Sequence, residues 1–539
     1  MAGHGSGNGK RGRHMLRISQ VKTRDTDRRS IEHALMKKLG LKNGDLKHWT
    51  IYRRSVDARH HDVTFSWIID AQLRNEARHL MKKDVRPTPE KPAPFRPKGV
   101  IALKTPPVVA GFGPAGMFAA LDLAEHGYRP IVLERGQKIE QRRQDVDHFW
   151  KTGELDPESN VQFGEGGAGA FSDGKLTTRS RDPLVDELLE TLHAHGASLD
   201  ILVDAYPHIG TDAFEAIIQS IRRRILELGG EIRFGARLEE VKIEDDRLTA
   251  INVNGRWEPC QALILALGHS ASDTLRQLHE DGIHMESKPF QVGVRIEHPQ
   301  RFINEAMLHD FKDDPRLIPA RYTLTAMADN GKGIYTFCMC PGGYVIASSA
   351  QPGQLVVNGM SYADRAGENA NSALLVQVNE SDYGPGLFDG LAYQEEIEKR
   401  AFALSPDYRA PVQKAADYLE GVVSESLSTR PTYEPGTVPA DLNTLFSDEV
   451  NHALHQGLLD FERKVPGFLE GTMTGVETRA SSAIRIPRDK VTRMGDEGIY
   501  PSGEGSGYAG GIMTSAIDGV KSARALMDRY APCVQSDTE

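Results

Sequence analysis

VVAGFGPAGMFAALDLAEHGYRPIVLE, residues 108–134, reads as a strand, a tight turn, a helix and a second strand in one short stretch. Val108-Val109-Ala110 is a short buried strand. Met117, Ala120, Leu121 and Ala124 share one face of the helix, which Gly127 ends, and Ile131-Val132-Leu133 leads to Glu134. Between strand and helix stands Gly111-Phe112-Gly113-Pro114-Ala115-Gly116. In a chain with 52 glycines among 539 residues this spacing alone carries little. Inside a β-α-β unit that ends in an acid 23 residues after Gly111, it predicts a dinucleotide site. Gly111 permits the turn, Gly113 lets a pyrophosphate approach the backbone, and Gly116 lets the helix pack on the strand. The helix N-terminus offers free N–H groups to phosphate, and Glu134 is placed to accept hydrogen bonds from ribose hydroxyls.

Further strand–helix repeats, as in a simple NAD domain, do not follow directly. Residues 229–253 (GGEIRFGARLEEVKIEDDRLTAINV) read as three short strands, then comes the apolar run 262–268 (ALILALG). Much later, GIYPSGEG (498–505) precedes Gly510-Gly511 and a helix from Ile512 to about Met527. This discontinuous order resembles flavoproteins of the glutathione-reductase-like superfamily, whose FAD-binding domain is interrupted by a substrate domain and completed by the C-terminal segment. The strings NVQFGEGGAGAFSDGKLTTR (160–179), KPFQVGVRIEHP (288–299) and TFCMCPGGYV (336–345) narrow the resemblance. So do NGMSYADRAGENANSALLVQV (358–378), GVETRASSAIRI (475–486) and YPSGEGSGYAGGIMTSAIDG (500–519). They are similar to a bacterial family of FAD-dependent dehydrogenases or oxidoreductases with an N-terminal α/β module.

The fold expected is therefore α/β: an interrupted Rossmann-like FAD-binding domain, an inserted α+β substrate domain and a small N-terminal βαββ module. The boundaries expected are a disordered leader over 1–14, the basic module over 15–85 and a proline-rich linker over 86–99. The FAD-binding domain would occupy 100–287 and 491–530, with the insert over 288–490. The resemblance implies that Gly111, Gly113, Pro114, Ala115 and Gly116 cradle the FAD pyrophosphate, with Glu134 and Arg135 at the adenosine end. It places the backbone of Leu238 against the adenine and Gly268 near the nucleotide. Gly503-Glu504 would meet the ribitol, glutamate replacing the usual aspartate. Gly510-Gly511, at a helix start, would bring N–H groups and a positive dipole end to the flavin N1–O2 edge. Two more stretches fit the bare glycine spacing, Gly164–Gly169 and Gly505–Gly510, but neither lies in a unit ending in an acid, so no separate NAD(P)H domain is expected.

Four groups stand out as candidate catalytic residues. Lys175 closes the second glycine-rich loop (164–175) and is a cation for a flavin or an acidic substrate. Arg479, near Glu477, Arg485 and Arg488, is a candidate clamp for a carboxylate or phosphate. Cys338 and Cys340 form a C-x-C pair; buried inert thiols are the plainer reading, and thiol exchange beside a flavin is the alternative. The nineteen histidines show no metal-ligand spacing, and no metal is expected.

Composition bounds the class. Hydrophobic residues make up 39% and charged residues 26%, as in globular proteins, and no apolar run is long enough for a membrane span. Four cysteines are no disulfide framework, and the first residues lack the apolar region of a secretion signal, so a cytoplasmic setting is expected. The reading is an FAD-dependent oxidoreductase with a small-molecule substrate. The alternatives are an RNA-linked flavoenzyme using its basic module, and a scaffold with structural FAD.

Charge is uneven: residues 1–100 carry 23 Lys+Arg against 10 Asp+Glu, leaving −23 on the rest of a chain whose total is −10. A separate basic module follows from this asymmetry. Nucleic acid is not the expected partner, because Trp49, Tyr52, Phe65 and Trp67 read as core residues and not as a base-stacking platform. The full chain is accordingly predicted to bind single-stranded RNA negligibly at physiological salt in a mobility-shift titration. Micromolar binding that weakens with a slope of about −0.7 per phosphate contacted would show the opposite.

Overall fold

The computed structural model describes residues 15–58, 62–178 and 180–533. The leader expected over 1–14 lies outside the described residues. The chain divides into two units: residues to Pro94 together with Leu199–Pro207, and Phe95–Ser198 together with His208–Glu539.

The first unit is a four-stranded antiparallel sheet in the order Leu46–Asp57, Thr64–Leu73, Leu16–Thr23, Val85–Pro87. Its helix, Arg28–Leu39, starts where Asp27 accepts the N–H groups of Arg29 and Ser30, and stops at Gly40 in the left-handed region (φ 66°). Ile31, Leu35 and Leu39 pack on the sheet with Trp49, Phe65 and Trp67, all buried. Tyr52 is half-buried, its ring under the Arg17 guanidinium at 3.3 Å. The apolar spacing of residues 73–81 predicts a short amphipathic helix closing this module, and that helix does not form. Successive turns stand there, with Leu80 and Met81 exposed, so no apolar face is available to hold a helix down. The turns deliver Val85–Pro87 as a fourth strand, which places the start of the proline-rich segment inside the sheet. Ala205 N–H donates to the Arg54 carbonyl (2.8 Å) and Arg54 pairs with Asp204, which ties Leu199–Pro207 to this unit.

The second unit is built on two sheets. The first is a five-stranded parallel sheet in the order Ile499–Pro501, Leu263–Leu265, Val108–Ala110, Ile131–Glu134, Glu231–Phe234. Ile499–Pro501 thus completes a sheet begun almost four hundred residues earlier. Two helices, Pro114–Glu125 and Ile512–Arg529, pack against each other through small residues. A Cβ on Gly519 would fall 2.0 Å from the Ala115 carbonyl oxygen. Strands Leu238–Glu244, Arg247–Val253 and Arg256–Pro259 form an antiparallel meander.

The second sheet has seven strands, in the order Thr325–Met327, Gly333–Cys340, Asn369–Val378, Phe290–Pro299, Thr472–Glu477, Ala410–Lys414, Thr437–Pro439, and only the last pair is parallel. Its central strands are buried along nearly their whole length, so their charged residues, Arg295, Glu297 and Glu477, must find partners inside. Among the described residues no helix is long and apolar enough to cross a membrane.

Gly116 is the tightest point of the first turn: an added Cβ would stand 1.9 Å from the Gly111 carbonyl oxygen. Gly116→Ala is predicted to cost about 1–3 kcal/mol, the usual range for overpacking, read as a lower urea midpoint in far-UV circular dichroism.

Candidate functional site: a cleft between the two sheets of the larger unit

The main cleft runs from the acid that ends the second parallel strand to the edge of the seven-stranded sheet. At one end is Glu134, only 4% exposed, whose carboxylate accepts N–H groups from Phe112 (2.8 Å), Gly136 (2.9 Å) and Gly164 (2.9 Å). Three backbone donors fix the carboxylate and leave lone pairs for a hydroxyl ligand. Gly111, Gly113, Pro114 and Ala115 come next along the wall. Gly113 is the N-cap of the helix and makes no side-chain cap, so the first-turn N–H groups have no side-chain acceptor. Farther on, Gly511 caps the 18-residue helix Ile512–Arg529, and Ile512 and Ser515 line the wall. Two helix N-termini thus converge on one cleft, each with a partial positive charge of about half a unit.

The facing wall is the second glycine-rich loop, and Arg142 shapes it. Fully buried, its guanidinium donates to the carbonyls of Asn160 (2.8 Å), Val161 (2.8 Å), Gly164 (3.2 Å), Glu165 (2.6 Å) and Gly167 (3.0 Å). Burial holds it below its usual pKa, at about 10, still charged. Glycine is required at 164, 166 and 167, where φ is 126°, 87° and 60°.

Over the far end stands a polar roof. Lys175 Nζ donates to the Met339 carbonyl and lies 3.3 Å from Asp173, which is held bidentately by Arg365. Burial opposes the lysine's charge, but Cys338, Cys340 and Asp173 outweigh it and raise its pKa. Cys338, Asn358 and Glu477 complete the roof, gathered by one fully buried guanidinium. Arg295 donates to Glu477 (2.5 Å), to the Cys338 carbonyl (3.0 Å), to Asn371 (3.1 Å) and to Asn358 (2.9 Å). Burial pushes the Glu477 carboxyl up to about 7 against the pull of Arg295.

Several predicted residues sit elsewhere. Arg479 lines the cleft, but its fork is filled by Glu398, at 2.6 and 2.9 Å. A buried arginine needs such a counter-charge, so the expected substrate clamp is instead a fixed internal pair. Arg488 is likewise taken, by Asp518. Arg135 grips Glu158 and Asp273 over the Phe163 ring, off the cleft wall. Leu238 is buried and Gly510 is exposed, both off the wall, and Gly116 packs behind the first turn. Gly268, Gly503 and Glu504 do line it. Cys340 is fully buried behind the roof, whereas Cys338 opens onto the cleft, which corrects the picture of two equally inert thiols.

Sequence reasoning passed over Arg295, Asn358, Glu477 as a roof group, and His269. A charged residue inside the buried run of 288–299 was the available signal for Arg295. His269 directly follows Gly268, lies 3.7 Å from Glu504 and is 9% exposed, and its Nε2 has no hydrogen-bond partner among the described residues. An orphaned ring nitrogen on the wall, a fixed carboxylate at one end and two helix N-termini fit a long dianionic dinucleotide such as FAD. Phosphates would lie at Gly113–Ala115 and a ribose at Glu134. Among the described residues no group of side chains could hold a metal ion.

A Rossmann-like cradle that shares its cleft with a polar roof defines a dinucleotide-dependent protein. The family described as FAD-dependent protein, C-terminal domain-like matches residues 289–480, and a domain of unknown function matches residues 15–72. An uncharacterised protein of Clostridium beijerinckii is 40% identical over 527 residues, covering 96% of this chain and 99% of its own. The chain belongs to this family of FAD-dependent proteins, and FAD is its cofactor. Among solved structures, glycine oxidase from Bacillus cereus is 11% identical with a TM-score of 0.34, over 79% of this chain and 98% of that one. An L-amino acid deaminase from Proteus vulgaris is 10% identical with a TM-score of 0.32, over 83% and 94%. At such scores neither brings its substrate to this chain.

Gly113→Glu would thrust a carboxylate into the phosphate end of the cleft. The variant is predicted to purify folded by circular dichroism but colourless, whereas the parent releases FAD and not FMN on denaturation. Full FAD occupancy in the variant would remove the phosphates from Gly113.

Proposed function

We propose that the protein is a cytoplasmic oxidoreductase that passes hydride or electron pairs between a small-molecule substrate and non-covalently held FAD. The observation that carries this reading is that the phosphate cradle and the Lys175–Cys338–Glu477 roof open on one cleft. A protein that merely stored its cofactor would have no need of ionisable groups desolvated at that end. Bound FAD supplies two-electron chemistry. The residues orient and balance charge. Gly113–Ala115 hold the diphosphate, Glu134 a ribose and Glu504 the ribitol. The N-terminus of Ile512–Arg529 and the Lys175 ammonium favour negative charge at the roof end. Glu477, with its pKa near 7, holds or yields a proton there at working pH. Arg295 positions Glu477 and the Cys338 backbone. Four cysteines in 539 residues make no disulfide framework, which suits a reducing compartment.

Anaerobic photoreduction followed by exposure to oxygen tests the reading: the flavin is expected to bleach fully and to recover. A flavin that never reduces would make the protein an FAD-holding scaffold. Glu477 gives a second prediction. Its carboxyl is neutral below about pH 7 and charged above it, and a negative charge on the roof disfavours reduction. Glu477→Gln is neutral throughout, so its midpoint potential should match the parent's near pH 6 and exceed it by about 30 mV near pH 8, a tenfold effect for a two-electron couple. Equal potentials at both pH values, by dye equilibration, would take Glu477 out of the reaction.

A further inference from the structure

Cys338 and Cys340 stand at an irregularity of the strand Gly333–Cys340: its pairing with Asn369–Val378 shifts register between Phe337 and Cys340. Within the shift Cys338 has φ 44°, in the left-handed region that a side chain rarely occupies. In a regular strand, residues two apart point to the same face with Cα atoms about 6.6 Å apart, at the upper end of what a disulfide spans. The register shift breaks the regular extended geometry at this step. The Cys340 thiol donates to the Cys338 carbonyl oxygen at 3.2 Å, folding the Cys340 side chain back toward Cys338. Cys338 opens onto the FAD cleft between Lys175 and Glu477, and Cys340 is shut behind it.

We propose that Cys338 and Cys340 are a reversible dithiol–disulfide pair that delivers an electron pair to the FAD in this cleft. The proposal rests on the FAD-dependent reading above and adds a second redox centre to it. Oxidation of the pair, Cys338 as thiolate and Cys340 as thiol, breaks one S–H bond, forms one S–S bond, and releases two electrons and one proton. FAD is the acceptor of both electrons, and Glu477 stands beside Cys338 to take the proton, while the Lys175 ammonium stabilises the thiolate. The pair is polarised for this work. The Cys340 thiol, with Lys175 and Arg295 close by, holds the Cys338 thiol below its usual pKa against its burial. Interaction with Cys338 and burial push Cys340 up, and its S–H is engaged by the Cys338 carbonyl. Cys338, beside the two cations, is therefore the readier thiolate, and Cys340 keeps its proton. Cys260, buried just before the strand Leu263–Leu265 and pushed up to about 12, and Cys533 are internal controls.

The test is an anaerobic dithionite titration of the air-oxidised FAD-bound protein, with thiol alkylation and mass spectrometry at each end. The parent is expected to take up two electron pairs per FAD. Before reduction, the peptide bearing Cys338 and Cys340 should be lighter by two hydrogens and resist alkylation. After reduction both residues should alkylate. Cys340→Ser and, independently, Cys338→Ser should each take up one pair. A parent that takes up one pair per FAD, with both cysteines alkylated after oxidation, overturns the proposal and leaves the FAD reading intact. Two pairs in either variant also overturn it. A protein that purifies without FAD overturns both.

Discussion

Arg295 is a full positive charge at the centre of a sheet whose neighbouring residues are valine, isoleucine and leucine. Desolvating it is tolerable only because every arm of the guanidinium has an acceptor, and those acceptors come from four other strands: Glu477, Asn358, Asn371 and the carbonyl of Cys338. Removing one partner of such a buried pair costs about 3–5 kcal/mol, because the other charge is left unpaired. The arrangement therefore fixes the register of the central strands more firmly than their apolar faces could. It also decides which groups look into the cleft. Glu477 and Asn358 present their outer edges there because their inner edges belong to Arg295.

The cofactor end obeys a different constraint, the closeness of backbone to backbone. Gly116 against Gly111 and Gly519 against Ala115 bring two helices and a turn to distances that no side chain would allow. Both helix N-termini then open on the same cleft. The loop opposite has only the short 3-10 helix Ala168–Phe171 and is held by Arg142 through five carbonyl oxygens. Positive helix ends on one side and an arginine-stapled loop on the other make the cleft electrostatically suited to a dianion while its floor stays apolar.

Much of the parallel layer was legible in the sequence because its signals are local. Strand, glycine turn, helix and acid follow one another within residues 108–134, and the three strands after Gly229 appear where alternation places them. The late motif around Gly503 was also readable, as a resemblance. What escaped was whatever depends on distant partners. Nothing near Arg479 in sequence announces Glu398, so a captive arginine read as a free clamp. Nothing near Cys338 announces a bulge or the lysine over it. The turns after Leu73 were misread as a helix because spacing alone suggested a stripe, while Leu80 and Met81 in fact have no surface to bury against.

The strand Ile499–Pro501 and the helix Ile512–Arg529 bear on how the protein is made as well as on how it works. Synthesis runs from the N-terminus, and both elements emerge long after the glycine turn and the parallel sheet they complete. Until then the strand Leu263–Leu265 has an open edge, and the cleft lacks its Gly503–Ser515 wall. Loading of the cofactor is thereby postponed until these elements have been made, and a chain broken off before them carries an unpaired β-edge that invites aggregation. The interrupted order of the fold thus makes cofactor capture wait for the wall that is made after the rest of the cleft.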